Sequence, residues 1–328
     1  MLCWVPAIKI LASVFLISTA MESGSMVQAQ QGAKIRRIGY LFTGFQPPKE
    51  FSDAMVKFGY IEGKNIVYEN RSAEGREDRL SELAADLVRL NVDVIVAPGA
   101  AAGLAAKGAT KTIPVVYLGG GDPVDLGIVD SLARPGGNIT GVTEISPELT
   151  GKRLELLKES FPKTIIVAVL VRTGAPGISD QLRRLETVAK GLGLKLKLIE
   201  VQAANEFEKS FSKFTRPAGT ALIEMPNPLF HANSKQIVEF AVKNRLPTIF
   251  HSKDFVEAGG LMAYGADFAD LYRRAAVYVD KILKGTKPSD LPVEQPMKFE
   301  FIINLKAAKQ IGLTIPPNVL VRADRVIR

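Results

Sequence analysis

An internal repeat constrains the fold of this chain more than any other feature of its sequence. Short runs rich in β-branched residues alternate with longer amphipathic stretches, and the same order returns about 130 residues further along. The matching segments are 40–44 and 169–174, 92–98 and 221–226, and 113–117 and 246–250. Strands that alternate with helices favour parallel sheets covered on both faces. The repeat predicts two similar α/β lobes, although an α/β chain can show such echoes by chance.

Local patterns predict the elements of the first lobe. Strands are expected at 35–42, 66–69, 92–97 and 115–118, and helices at 50–58, 76–90 and 100–107. In the helix at 76–90 the apolar residues recur at helical spacing and share one face, as expected for packing against a sheet. Further along, the patterns predict a strand at 259–264, a helix at 270–283, an extended segment at 292–303 and a short helix at 305–311.

The chain is expected to cross between the two lobes three times. The first crossing is predicted near 136–142, where Pro135-Gly136-Gly137-Asn138 interrupts the pattern. We assign residues 30–140 and about 262–290 to the first lobe, and 141–261 and about 291–328 to the second. The fold class is therefore α/β, with two Rossmann-like lobes of parallel sheet. Three crossings make a hinge that lets the lobes close on one another.

The first 29 residues have the features of a signal peptide. Lys9 is basic, residues 10–20 are apolar, and Val27-Gln28-Ala29 offers a small-x-small site, so cleavage is predicted after Ala29. The apolar run is shorter than the roughly 20 residues that span a bilayer. We therefore expect an exported, periplasmic protein. The alternative is an N-terminal anchor that stays uncleaved.

Composition and motifs limit the chemistry of the mature chain. The 328 residues carry a formal charge of +8 without a Lys/Arg block of the kind that binds nucleic acid. The only cysteine, Cys3, precedes the predicted cleavage site, which excludes disulfides and cysteine metal sites after cleavage. The HExxH, GxSxG, GxxxxGK[ST] and GxGxxG motifs are all missing. We expect no enzyme activity, no cofactor, no metal and no nucleic-acid partner.

Ligands of open α/β sheets bind at the carboxyl ends of the strands, so the loops after the strands hold the candidate ligand-binding residues. In the first lobe these candidates are Thr43, Gly44, Phe45, Gly99, Ala100, Ala101, Tyr117, Gly119 and Asp122. In the second lobe they are Arg172, Thr173, Asn227, Ser252, Lys253 and Asp254. Phe45 and Tyr117 are expected to form apolar walls.

Three of these positions have a competing structural interpretation. Residues 99–101 begin a helix whose free amides can hold a carboxylate or phosphate, or they form an ordinary turn. Asp122 can accept a ligand ammonium or hydroxyl, or cap the helix that starts at Pro123. Arg172 has a planar fork that suits a carboxylate, or it is a solvated surface arginine.

Four segments resemble a known family. They are 59–66 (Gly-Tyr-Ile-Glu-Gly-Lys-Asn-Ile), 133–141 (Ala-Arg-Pro-Gly-Gly-Asn-Ile-Thr-Gly), 151–158 (Gly-Lys-Arg-Leu-Glu-Leu-Leu-Lys) and 291–317. Together they resemble the ABC transporter substrate-binding proteins related to tryptophan-binding proteins, over about residues 36–327. The resemblance implies a type I periplasmic-binding-protein fold that delivers a small ligand to an ABC permease in the inner membrane.

The resemblance also implies a ligand class. Related members bind amino acids, notably aromatic ones, with the carboxylate near the loop that matches 99–101, and the residues that match Thr43, Asp122 and Asp267 border that cleft. Many relatives carry Asn-Pro-type residues where this chain has Arg-Thr-Gly-Ala at 172–175, which favours a more acidic ligand. We expect a monomeric, exported solute-binding protein for an amino acid or related carboxylate. The alternatives are a ligand-binding module of a sensor, or an exported enzyme that uses Asp122, Asp254 or His251.

Overall fold

The first lobe is built on a five-stranded parallel sheet in the computed structural model, which describes Met1 and residues 35–44, 48–144, 146–296 and 298–328. Its strands are β1 (Arg36–Phe42), β2 (Ile66–Ser72), β3 (Val94–Pro98), β4 (Val115–Leu118) and β5 (Ile139–Val142), and its first helices are α1 (Lys49–Lys57), α2 (Leu80–Arg89) and α3 (Ala100–Ala109). Across the sheet the strand order is β2-β1-β3-β4-β5. Leu80, Leu83 and Leu87 of α2 are buried, which confirms the apolar face expected from their spacing.

The second lobe has a seven-stranded sheet within the described residues. Its strands are β6 (Ile166–Val171), β7 (Lys195–Glu200), β8 (Thr220–Glu224), β9 (Thr248–Phe250), β10 (Met262–Ala266), β11 (Phe299–Asn304) and β12 (Arg325–Ile327). The remaining helices are α4 (Ser146–Ser160), α5 (Ile178–Gly191), α6 (Phe207–Ser212), α7 (Pro228–Ala232), α8 (Ser234–Lys243), α9 (Lys253–Glu257), α10 (Phe268–Leu283), α11 (Leu305–Gln310) and α12 (Pro317–Leu320). The strand order is β12-β11-β10-β9-β8-β6-β7, and only the pairing of β10 with β11 is antiparallel among the pairs described.

The two sheets share one topology, which confirms the repeat. The order β2-β1-β3-β4-β5 in the first lobe corresponds strand by strand to β7-β6-β8-β9-β10 in the second. The three pairs of matching sequence segments fall on β1 and β6, on β3 and β8, and on β4 and β9. Each sheet is covered by helices, and strands such as β4 are buried along their whole length. The carboxyl ends of equivalent strands therefore face a common cleft.

Within the described residues the chain passes between the lobes three times. The first passage leads from β5 to α4, and the second leads from β10 to α10. Helix α10 packs on the first sheet, where Leu271 and Val279 share a buried apolar cluster with Ile38. The third passage follows Glu294, whose backbone still bonds to Gly141 and Thr143 of the first lobe.

Three of the expected lobe boundaries need correction. The strand now seen at Met262–Ala266 was assigned to the first lobe, but it pairs with β9 in the second sheet, because only a short connection through α9 separates these parallel strands. Strand β5 extends to Val142, and Glu294 forms a bridge with that residue. The first lobe therefore continues a few residues past the expected ends at 140 and 290. Sequence patterns identify a strand but not the sheet that it joins.

No helix in the described part of the chain is long and apolar enough to cross a membrane. The predicted signal peptide, residues 1–29, lies outside the described residues apart from Met1.

Candidate ligand-binding site

A cavity of about 310 Å³ lies between the lobes at the carboxyl ends of the strands. First-lobe residues that line it include Phe42, Thr43, Pro98, Gly99, Leu118, Gly119 and Gly120, and second-lobe residues include Pro226, Asn227, Pro228, His231, His251, Lys253 and Asp254. Glu144, Phe268, Ala269 and Tyr272, at or next to the passages between lobes, complete the wall together with Pro48 and Glu50. The volume is at the lower end of the range for small-ligand pockets.

Aromatic rings form one side of this cavity. The Phe268 ring lies 5.9 Å from the His231 ring and 5.6 Å from the His251 ring, centroid to centroid. Tyr272 lies one turn after Phe268 on α10, so both side chains reach the cavity from the same helix face. Phe42, at the end of β1, adds a ring from the first lobe. Such walls suit an apolar, planar group of a ligand.

The amino terminus of α3 forms a second, polar side. Gly99 caps this helix with a φ of 91°, a conformation that a residue with a β-carbon rarely adopts. No acceptor among the described residues is bonded to the Ala100 or Ala101 amide. A smaller cavity of about 50 Å³, lined by Ala100 and Ala101, shares Thr43, Gly99 and Asn227 with the main cavity. The free helix end therefore lies where the two cavities meet, and it can accept an anion.

The second lobe contributes charged side chains that already have partners. Asp254 accepts a hydrogen bond from His231 Nε2 at 2.7 Å, and this bond holds the pKa of the carboxyl below its ordinary value. Lys253 Nζ lies 3.6 Å from Asp267 Oδ1. These pairs fix the polar rim of the cavity on the second-lobe side.

A buried charge cluster lies beside the cavity. Arg153 is fully buried, donates through Nε to the Tyr264 carbonyl at 2.7 Å, and places Nη2 3.6 Å from Glu144 Oε1. Burial lowers the pKa of Arg153, and the nearby Glu224 and Glu144 carboxylates act in the opposite direction. Glu224 in turn lies 2.5 Å from His251 Nδ1. Two carboxylates in this cluster thus share one guanidinium, and one of them, Glu144, lines the cavity.

Six of the candidate residues expected from the sequence line the main cavity: Thr43, Gly99, Gly119, Asn227, Lys253 and Asp254. Ala100, Ala101 and Arg172 line the smaller cavity. Asn227 also caps α7, because its side chain accepts a hydrogen bond from the Leu229 amide at 2.9 Å. Loops that follow strands therefore make up much of the lining of the two cavities.

Tyr117 does not form an apolar wall, which corrects the expectation from the sequence. Its side chain is fully buried in the core between β4 and α3, where it packs against Gly103. Its hydroxyl donates to the Gly120 carbonyl at 2.6 Å, and burial raises its pKa. Tyr117 thus shapes the loop that lines the cavity without lining the cavity itself.

Asp122 acts as a cap and not as part of the cavity wall. Its Oδ1 accepts a hydrogen bond from the Val124 amide at 2.8 Å. Of the two interpretations of this residue, the geometry supports the structural one. The Pro that follows Asp122 fits the first position of the turn that it caps.

Arg172 contacts the other lobe and does not reach the main cavity. Its guanidinium forms an ion pair with Glu77 of the first lobe and donates through Nε to the Gln202 carbonyl at 3.1 Å. It is therefore neither a solvated surface arginine nor a residue of the main cavity wall.

Four further candidates, Ser252, Asp267, Thr173 and Gly44, are not among the residues that line either cavity. Ser252 is buried and caps α9 by accepting from the Asp254 amide, and Asp267 caps α10 by accepting from the Ala269 amide. Thr173 donates to Glu200 at 3.2 Å, and Gly44 is exposed. Phe45 lies outside the described residues.

Sequence reasoning missed the aromatic wall and Glu144. Phe42 immediately precedes Thr43 at the end of β1, so the strand-end rule could have included it. Phe268 and Tyr272 lie one turn apart directly after a passage between lobes, and this helical spacing is the signal that could have identified them. Glu144 gives no comparable signal, because Glu224, His251 and the Tyr264 carbonyl of this cluster come from distant parts of the chain.

In the described part of the chain, no group of three or more His, Cys, Asp or Glu side chains could hold a metal ion.

A family model described as ABC transporter substrate binding protein matches residues 47–327 of the chain. Among curated proteins, a tyrosine-binding protein of Clostridioides difficile (strain R20291) is 27% identical over 265 residues, which cover 81% of this chain and 76% of that protein. These relatives are substrate-binding proteins and not enzymes.

Solved structures match the fold over nearly the whole described chain. A conserved domain protein from Vibrio cholerae is 26% identical with a TM-score of 0.83, covering 89% of this chain and 100% of that one. An ABC domain from Streptococcus pneumonia in complex with L-Trp is 26% identical with a TM-score of 0.79, covering 89% and 99%. A ligand-free, open substrate-binding protein from Clostridium difficile is 25% identical with a TM-score of 0.62, covering 90% and 99%.

Proposed function

The chain belongs to the ABC transporter substrate-binding protein family, and from this premise we propose that it binds an amino acid with an aromatic side chain in the cavity between its lobes. The observation that carries the proposal is the cavity itself, which has aromatic rings on one side and a free helix amino terminus on another. An aromatic amino acid has matching parts, namely a planar apolar group and a carboxylate. The names of a tyrosine-binding relative and an L-Trp complex support the same ligand class.

The ligand carboxylate is proposed to lie at the amino terminus of α3. The Ala100 and Ala101 amides can donate hydrogen bonds to an anion there, so no charged side chain is needed. The helix dipole adds to the attraction. Thr43 and Asn227 border the same place from the two lobes. A ligand held there contacts both lobes at once, so it selects the closed arrangement.

The ligand side chain is proposed to lie among Phe42, His231, Phe268 and Tyr272. Aromatic pairs add about 0.5–1.5 kcal/mol beyond the burial of their area. A dicarboxylate would leave these walls without an apolar partner. An aromatic amino acid therefore fits the cavity better than the more acidic ligand that the sequence at 172–175 favours, because Arg172 is already paired with Glu77.

A thermal-shift screen followed by calorimetry tests the ligand class. The protein is unfolded and refolded to remove any copurified ligand, then screened against the common amino acids, dicarboxylates and sugars. A ligand at 100 times its Kd adds about 2.7 kcal/mol to the free energy of unfolding, which corresponds to a shift of several degrees. We expect shifts from Trp, Tyr or Phe. Shifts from sugars or dicarboxylates alone would contradict the proposal.

We further propose that the protein is exported and serves an importer. The support is the signal-like sequence of residues 1–29 and the family to which the chain belongs. Fractionation of cells that express the full chain, with mass spectrometry of its amino terminus, is expected to find a periplasmic protein that begins at Gln30. A full-length protein in the membrane fraction would support the uncleaved anchor instead.

A further inference from the structure

The carboxylate of Glu144 is buried and lacks a full set of partners. The residue is 1% exposed and lines the main cavity. Its Oε1 atom has no hydrogen bond among the described residues, because the nearest cationic group, Nη2 of Arg153, is 3.6 Å away. A buried carboxylate that is left partly unpaired is costly, so it calls for an explanation.

The guanidinium of Arg153 is divided among several acceptors. It donates to the Tyr264 carbonyl at 2.7 Å and to Thr150 Oγ1 at 3.2 Å. Glu224 is a second carboxylate beside it, and Glu224 also accepts a hydrogen bond from the His251 amide at 2.8 Å. Two carboxylates, those of Glu144 and Glu224, therefore lie beside this one guanidinium. A further donor at the cavity could serve the one that lines it, Glu144.

Other acidic side chains that line the cavity are less suited to receive that donor. Asp254 is paired with His231 at 2.7 Å, and Glu50 is exposed to solvent, where water weakens a charge pair. Lys253, a cation that lines the cavity, lies 3.6 Å from Asp267, outside the buried cluster. Glu144 therefore combines burial, unused hydrogen-bonding capacity and a place in the cavity wall.

We infer that Glu144 accepts the α-ammonium group of the bound amino acid and is the residue that distinguishes amino acids from carboxylic acids of the same shape. The inference rests on the proposed function, since it requires an amino-acid ligand. A ligand ammonium would supply the donor that Oε1 of Glu144 lacks. A des-amino acid would leave Glu144 unpaired and would bind weakly.

The test compares two ligands and three proteins by calorimetry. The ligands are the best-binding aromatic amino acid and its des-amino analogue, for example tryptophan and 3-indolepropionate. The wild type is expected to bind the amino acid about 10- to 100-fold more tightly than the analogue, the range for a charged hydrogen bond. Glu144→Gln is expected to reduce this ratio to about threefold or less. Glu155→Gln, an exposed carboxylate on the same helix as Arg153, is the matched control and should leave the ratio unchanged.

The outcomes separate the inference from the proposed function. If the wild type binds the two ligands equally, or if Glu144→Gln keeps the full ratio, the inference fails while the aromatic cavity stands. If the wild type binds no amino acid, the proposed function fails and the inference with it. Should Glu144→Gln not fold, a crystal structure of the wild-type complex decides. A ligand nitrogen about 2.7–2.9 Å from the Glu144 carboxylate supports the inference, and one more than about 4 Å away overturns it.

Discussion

Arg172 and Glu77 form an ion pair that joins the two lobes across the cleft. Both side chains are largely shielded from water, with 14% and 17% of their surface exposed. The Nε of Arg172 also donates to the Gln202 carbonyl of its own lobe, so one guanidinium contacts both lobes. A second pair between the lobes, Arg184 with Asp125 at 2.7 Å, is half exposed and contributes less.

Removing the Arg172–Glu77 pair is expected to weaken the binding of every ligand by the same factor. Arg172→Ala should raise each Kd by about 5- to 30-fold, equivalent to roughly 1–2 kcal/mol, because the pair stabilises the closed state and not a particular ligand. Calorimetry with at least two ligands measures this. Arg183→Ala, an exposed residue of α5 that pairs within its own helix, is the control and should have little effect. A loss confined to one ligand would indicate direct contact instead.

Gly99 is expected to be required for stability as well as for binding. Its φ of 91° and ψ of 154° fall in a region that is essentially restricted to glycine, although the space around an added β-carbon is adequate, with Pro228 Cγ at 3.6 Å. Gly99→Ala should therefore lower the free energy of unfolding by about 1–3 kcal/mol. Urea denaturation measures the change. Gly108→Ala, on the same helix with a negative φ and open surroundings, should be neutral or stabilising.

Phe268 is expected to determine the preference for aromatic side chains. Phe268→Ala should weaken the binding of an aromatic amino acid by more than tenfold, because both buried area and ring contacts with the ligand are lost. Phe268→Leu keeps most of the volume and should cost only the ring contribution of about 0.5–1.5 kcal/mol. Equal affinities of the wild type and both variants, measured by calorimetry, would place the ligand side chain elsewhere in the cavity.

Asp254 is expected to contribute to stability in full above about pH 4 and progressively less as the pH falls below that value. The hydrogen bond from His231 lowers its pKa in the folded protein, and an unfolded aspartate has a pKa of about 3.9. A lowered carboxyl pKa stabilises the fold above the unfolded value, and this contribution is lost as the pH falls through the folded-state pKa. Asp254→Asn should cost less than about 1 kcal/mol at pH 6, since 39% of the side chain is exposed and solvent screens the pair. Urea denaturation of both proteins from pH 6 downward should show the difference shrinking, and a difference that grows would contradict the assignment.

The sequence predicted the elements that local chemistry specifies. The strands of the repeat appear as expected because β-branched runs and helical spacings are properties of short segments. The loops that line the cavity follow from the same patterns, since the carboxyl ends of parallel strands meet at one edge of the sheet. Thr43, Gly99 and Asn227 were located in this way.

Side-chain direction could not be predicted for strands buried on both faces. Strand β4 is buried at all four residues, so it lacks the alternation of apolar and polar residues that would distinguish the core face from the cleft. Tyr117 was therefore placed in the cleft, whereas it lies in the core and donates to Gly120. Strand β10 was likewise recognised as a strand but assigned to the wrong sheet.

The sequence by itself determined the two-lobe α/β fold, the loops that form the cleft and the family, because these depend on periodicity and on contiguous motifs. Only the tertiary structure decided that Arg172 joins Glu77 across the cleft and that Glu144 lies beside Arg153 with an oxygen left unpaired. Arg172 and Glu77 come from distant parts of the chain, and in both pairs the interaction depends on a distance of a few ångströms that only the folded chain sets. Removal from water makes the interaction energy of such charges large, and this removal happens only when the chain folds around them.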